Sequence, residues 1–177
     1  MLFCPEKALN KKQREIGKIE WGISEQVTAL TGCLNTGEVS GVPIIKEMVE
    51  NLPQQETIVI DCPPGSACVV MESIKEADFC VLVAEPTLFG VHNLAMVYEL
   101  VKLFDKPFGV ILNKCLSGEN PSEQFCREKQ IQILAQIPYD KELGRLNANG
   151  HVAVRESEQY RNLFCHLLHQ LKKGAQL

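Results

Sequence analysis

The stretch Thr57-Ile-Val-Ile-Asp-Cys-Pro-Pro-Gly65 decides how the rest of the chain is read. Four consecutive residues of high strand propensity, with no polar alternation, suit a strand buried on both faces of a parallel sheet. The run ends in one carboxylate, Asp61, and a rigid Pro63-Pro64-Gly65 turn follows at once. An unpaired carboxylate is costly inside an apolar core, so Asp61 belongs at the strand's carboxyl end, where open α/β sheets bind their ligands. In phosphate-binding folds that position holds a hydrated Mg²⁺ ion beside a nucleotide. The same residues also fit an exposed Asp that opens a Pro-Gly turn.

Such folds cradle phosphates with a Gly-rich loop, G-x-x-x-x-G-K-[ST], whose backbone N–H groups and lysine face the negative charge. The chain contains no such loop. Its Gly-Lys pair is Gly17-Lys18, which Ile19 follows, and Lys12 stands where the first glycine belongs. A metal-side motif is therefore present without its phosphate-side counterpart.

Outward from Asp61, strands and helices alternate. Strands are expected at residues 57–60, 79–84, 108–112 and 131–137. Helices are expected near 67–77, 91–104, 122–129, 141–148 and 157–172. The second of these carries Leu94, Val97, Leu100, Val101 and Phe104 along one face, as a helix packed on a sheet does. Strands separated by helices imply right-handed crossovers and a doubly wound parallel sheet. Before this alternation, residues 16–23 and 27–34 are expected to pair as two short strands. Ser40 is placed to cap a helix running to Leu52, which Pro53 and Gln54-Gln55-Glu56 end.

A length of 177 residues fits one domain with a substantial core, and 45% apolar with 23% charged residues is ordinary for a globular protein. The net charge of −4 and the lack of a Lys/Arg cluster argue against a general affinity for nucleic acid. No apolar run approaches the length of a membrane span, and Pro5 and Glu6 interrupt any signal-like start. The cytoplasm is the expected compartment. There the eight cysteines read as thiols, ligands or small core residues, and no C-x-x-C pair supplies a metal set of known spacing.

Five segments, Asp61-Cys-Pro-Pro-Gly65, Glu85-Pro-Thr87, Gly90-Val-His-Asn-Leu94, Asn113-Lys114 and Ile137-Pro-Tyr-Asp140, occur in the order seen in MinD/ParA/Mrp/NifH-type P-loop ATPases. The chain resembles most closely the MinD-like branch with an inserted ferredoxin domain. In that resemblance Cys4-Pro-Glu-Lys-Ala8 looks like the end of the insert, and Leu34-Asn-Thr-Gly-Glu38 with Ser40-Gly41 the return to the ATPase domain. Residues 1–14 are then a remnant of the insert and residues 15–177 the C-terminal part of the ATPase domain. The implied fold is α/β, a doubly wound and mainly parallel sheet, incomplete because the N-terminal strand leading into the phosphate loop is absent. The resemblance also places that strand inside the sheet, so this chain alone is expected to be marginal or dependent on further polypeptide.

The resemblance implies roles residue by residue. Asp61 holds a Mg²⁺-bound water, and Gly65 belongs to a switch loop that senses the γ-phosphate. Asn113 and Lys114 match a base-contacting pair; an Asn amide offers a donor and an acceptor to adenine. Leu116 stands where many relatives carry an Asp, which favours ATP over GTP. Pro138 and Tyr139 resemble the loop along the adenine, and Asp140 caps the next helix. Without the resemblance, Asn113 and Lys114 also read as a polar loop after a buried strand. Cys4 is one ligand of a [4Fe–4S] cluster that needs three more thiolates. Cys68 either faces its twin across a dimer, the two holding a cluster as in NifH-like proteins, or, as the favoured reading, is a small buried residue under the switch; Cys62 packs only.

The expected function is thus an ATP- and Mg²⁺-binding ATPase domain associated with iron–sulfur chemistry, in which ATP binding drives homodimer closure and serves a redox partner. Lacking the phosphate lysine, the chain as it stands is expected not to hydrolyse ATP. The other reading is a non-catalytic interaction module on the same scaffold, docked onto a chain that supplies the missing segment.

Overall fold

The computed structural model describes residues 12–53 and 57–174. Cys4, and with it the expected cluster ligand, lies outside the described residues. The chain divides into two compact units, one up to Asp61 and one from Cys62 onward.

In the first unit, β1 (Gly17–Ser24) and β2 (Val27–Leu34) form the expected antiparallel hairpin, joined at Glu25-Gln26. Helix α1 (Val42–Glu50) packs Ile44 and Met48 onto its base, where Gly32 leaves room: a Cβ there would lie 2.6 Å from each side chain. Gly41, not Ser40, is the capping residue of α1, although the Ser40 Oγ accepts a hydrogen bond from the Val42 N–H at 3.2 Å.

One expectation fails here. Residues 57–60 form no strand, and Val59 is 86% exposed where a strand buried on both faces was expected. The physical reason is that an apolar run specifies burial but not a pairing partner. Neither described sheet includes these residues in a ladder. Sequence preference alone does not hold an extended segment in a sheet.

The second unit is the α/β part. Strands β3 (Cys80–Ala84), β4 (Phe108–Cys115) and β5 (Ile133–Pro138) form a parallel sheet in the order β3-β4-β5. Between them run α2 (Cys68–Ile74), α3 (Leu88–Leu103) and α4 (Pro121–Glu128); α5 (Lys141–Ala148), α6 (Ala153–Glu156) and α7 (Glu158–Gly174) follow. Alternation sends Leu82, Val110 and Leu112 into one cluster with α2, α3 and α4. Ile111 goes to the other side with Leu134 and Ile137, against Leu163, Phe164, Leu167 and Leu171 of α7. Both faces of β4 are thereby covered, the condition for a parallel sheet. Tyr98 anchors the first cluster edge-on against Phe108 and Phe125, each ring 5.7 Å away.

Strand β3 is the exception. Cys80, Leu82 and Ala84 are buried, but Val81 and Val83, on the α7 side, are 38% and 61% exposed. As the outer strand of the described sheet it carries a bare edge beside that apolar surface.

Candidate functional site

The carboxyl ends of β3, β4 and β5 bring together four of the residues expected to bind a ligand, and two more. Strand β4 runs on past Leu112 through Asn113, Lys114 and Cys115. The parallel register with β5 shifts between Leu112 and Cys115, and pairing resumes at Cys115 and Pro138. Asn113 and Lys114 therefore form a bulge, the device that re-aims side chains at the end of a strand. Lys114 takes a left-handed backbone (φ 56°) inside the strand. Its amide N–H donates to the Asn113 Oδ1 at 3.0 Å, and the Tyr139 N–H donates to the Cys115 carbonyl at 2.9 Å. Tyr139 itself is thus bonded to the residue that follows Asn113-Lys114, and it is half-exposed.

Glu85 completes the corner. Its Oε1 accepts from the Lys114 Nζ at 2.6 Å, across the ends of β3 and β4. The hydrogen bond and charge of Glu85 raise the lysine's pKa, so Lys114 is a cation at neutral pH. Glu85 is itself held firmly through its carbonyl, which accepts from the buried Ser122 hydroxyl at 2.8 Å and from the Thr87 N–H at 2.8 Å. Gly90 lies so close that a Cβ there would sit 2.3 Å from the same oxygen. Thr87 then caps α3, accepting from the Gly90 N–H at 2.8 Å.

Asp140 caps α5 as expected: its Oδ1 accepts from the Glu142 and Leu143 N–H groups, and its Oδ2 from the Tyr160 hydroxyl at 2.8 Å. The Tyr160 hydrogen bond foremost, then that of the Leu143 N–H, holds the Asp140 carboxyl below its ordinary pKa. A small cavity of about 150 Å³ opens beside it, lined by Ile137, Pro138, Leu143 and Leu163 among others.

Gly65 follows Pro64 with φ 92°, a conformation that suits glycine. Asp61, at the end of the first unit, is exposed. Cys68 is exposed, not buried as expected, because α2 begins at it and turns Val70, Ser73 and Ile74 inward instead; Cys62 is half-buried against the larger core cluster. The described cysteines are thiols, and among the described residues no group of three or more His, Cys, Asp or Glu side chains gathers to hold a metal ion.

Glu85 entered the sequence reading only within the Glu85-Pro-Thr87 segment, with no role of its own, and Ser122 only as the first residue of an expected helix. The signal for Glu85 was available: like Asp61, it is a lone carboxylate directly after an apolar run. Ser122 carries no such mark, because its partner is a main-chain oxygen 37 residues away.

Among solved structures, the cell division ATPase MinD of Pyrococcus furiosus superposes with a TM-score of 0.62 at 23% identity, covering 75% of this chain and 58% of MinD. The MinD cell division protein of Aquifex aeolicus gives a TM-score of 0.54 at 20% identity over 64% of this chain and 52% of that one. The matched region has a MinD-like fold. In sequence the chain is 27% identical over 149 residues to the uncharacterized protein MJ0579 of Methanocaldococcus jannaschii, 83% of this chain and 52% of that protein. It is 29% identical over 121 residues to the uncharacterized protein MJ0578 of the same organism, 67% of this chain and 41% of that protein. The chain spans about half the length of the curated relatives it matches. No family model matches it. In this MinD-like fold the Asn113–Lys114 bulge and the Pro138-Tyr139 segment stand at the carboxyl end of the sheet, where α/β folds place their ligands.

Proposed function

We propose that this chain is the base-binding, C-terminal part of a MinD-like ATPase that works in the cytoplasm with ATP and Mg²⁺. The observation that carries the reading is the bulge at Asn113-Lys114, tied by the Tyr139 N–H to the loop that follows β5. It sets an amide, a cation and an aromatic ring side by side on a fold shared with two MinD structures. An amide with both donor and acceptor suits adenine, and the half-exposed Tyr139 ring supplies a surface for it to lie along. Asp61, a single exposed carboxylate, is the kind of hard oxygen ligand that takes Mg²⁺ through water. The ion, when bound, neutralises phosphate charge. Gly65 gives the adjoining loop its left-handed turn.

The described residues do not fit a [4Fe–4S] cluster, which needs four thiolates, so a cluster has no part in the chemistry proposed for them. Any iron–sulfur centre and redox partner belong with Cys4 and the segment of residues 1–14, read as a remnant of a ferredoxin-like insert. Homodimer closure on ATP is the corresponding proposal for the assembled protein.

The test is a titration of the purified chain with ATP and MgCl₂, followed by a phosphate-release assay. Binding through the adenine end without turnover is the expected result, because no lysine-bearing Gly-rich loop is present. Magnesium-dependent turnover that is lost in Asp61→Asn would overturn it. The second reading, a non-catalytic interaction module, is favoured by the bare edge and exposed valines of β3. Failure to bind any nucleotide would select it.

A further inference from the structure

The Glu85–Lys114 pair raises a question of charge. A lysine at a ligand-binding strand end ordinarily attracts an anion, yet here the ammonium is already met by a carboxylate at 2.6 Å. The arrangement is built rather than incidental. Lys114 is one of four described non-glycine residues with positive φ; Glu25, Asp105 and Gln130 occupy turns, whereas Lys114 lies inside a strand. A left-handed backbone at a lysine persists only where the surroundings hold it, and such outliers gather at ligand sites. Its partner Glu85 is mounted on a carbonyl fixed by Ser122, Thr87 and the close approach of Gly90.

We propose that Glu85 is a positioning residue that makes this corner a seat for the uncharged edge of an adenine-type base, by compensating the Lys114 charge that would otherwise draw an anion. This rests on the nucleotide reading above and adds to it the residue that sets what the corner accepts. Asn113 Oδ1 is held by the Lys114 N–H, and no acceptor among the described residues takes the Asn113 Nδ2. That donor is available to a ring nitrogen. Glu85 Oε1 is taken by Lys114, which leaves Oε2 to accept from an exocyclic amine. Guanine presents two adjacent donors, N1–H and N2–H₂, that need both oxygens of one carboxylate. Glu85 offers one oxygen free of Lys114, while the ammonium competes for the other, so adenine is preferred over guanine.

The experiment uses the full ¹⁵N-labelled chain and three probes: adenosine, guanosine and inorganic phosphate. The signals followed are the Asn113 side-chain amide and the Lys114 backbone amide. In the wild type, adenosine moves both, guanosine moves them less, and phosphate moves neither. In Glu85→Gln, phosphate now moves Lys114, and adenosine affinity falls about threefold to fivefold, the scale of an exposed ion pair. Glu85→Asp restores the wild-type pattern. Unchanged β4 and β5 amide signals in Glu85→Gln show that the variant folds, and a merely structural Glu85 would not create a phosphate response. Phosphate binding at Lys114 in the wild type, or a Glu85→Gln that behaves as wild type, overturns the proposal. If no nucleoside moves these signals but Glu85→Gln still gains phosphate, the nucleotide reading falls while the charge compensation remains, and the proposed base seat falls with the former. If neither occurs, both fall.

Discussion

Asp140 shows how one side chain serves the backbone and the site at once. Its carboxylate closes the first turn of α5 and accepts from Tyr160 in α7, one residue after the Pro138-Tyr139 segment. Both tasks need the ionised form, and the Tyr160 hydroxyl in the first place keeps the carboxyl below its ordinary pKa. A carboxyl with a folded-state pKa below its unfolded value contributes stability that is fully present above the unfolded value, near pH 4, and is lost as pH falls through the folded one. Asp140→Asn keeps a capping side chain but cannot titrate. The fall of stability below about pH 4 is therefore shallower in Asp140→Asn than in the wild type. Urea denaturation at a series of pH values checks this, and parallel curves would remove Asp140 from the acid response. The cap was legible in the sequence, since an Asp before a helical run has a local signature. Tyr160 as its partner was not, because a contact 20 residues away leaves no local mark.

At the scale of elements, the two apolar strands that were read alike came out differently, and the comparison says what sequence encodes. Residues 57–60 and 79–84 are both unbroken runs of high strand propensity, apolar from Ile58 and from Phe79 onward. The second found β4 and became β3; the first is in no ladder. Burial preference is local and legible, whereas pairing depends on a neighbour that the run itself does not specify. The helices were read to within a few residues because their apolar spacing and caps are local features. Thr87, which moves the start of α3 back to Leu88, caps by accepting from the Gly90 N–H. Strand β3 also makes a quantitative prediction. Leu82 is 6% exposed and packed in the main core, so Leu82→Ala costs about 2–5 kcal/mol. Val83 is 61% exposed, so Val83→Thr changes the stability of this chain by less than about 0.5 kcal/mol. Chemical denaturation of the two variants checks both. A large loss in Val83→Thr would mean that the outer face of β3 is covered in solution.

For the whole molecule, the sequence of β3 is written for more burial than the described residues provide. A strand with one solvent face ordinarily alternates apolar and polar, yet Cys80-Val-Leu-Val-Ala84 has no polar residue on either face. Val81 and Val83 are thus apolar at positions where exposure would favour Thr, Lys or Glu, and the bare edge beside them carries none of the charges or prolines that usually guard one. The relatives in sequence and the MinD structures all extend well beyond the region matched here. We therefore expect further polypeptide, a strand and its flanking cover, to be seated along β3 in the working protein. Hydrogen exchange on the isolated chain then has a definite expected outcome. Amides of β4, held between two strands and covered on both faces, exchange slowly. Amides of β3 exchange markedly faster, through local opening below the global unfolding free energy. In native extracts these peptides belong to a species heavier than 177 residues or to a stable complex, and there β3 is as protected as β4. A sharp, two-state transition of the isolated monomer, with β3 and β4 equally protected, would show that three strands suffice and that the exposed valines serve something other than the sheet.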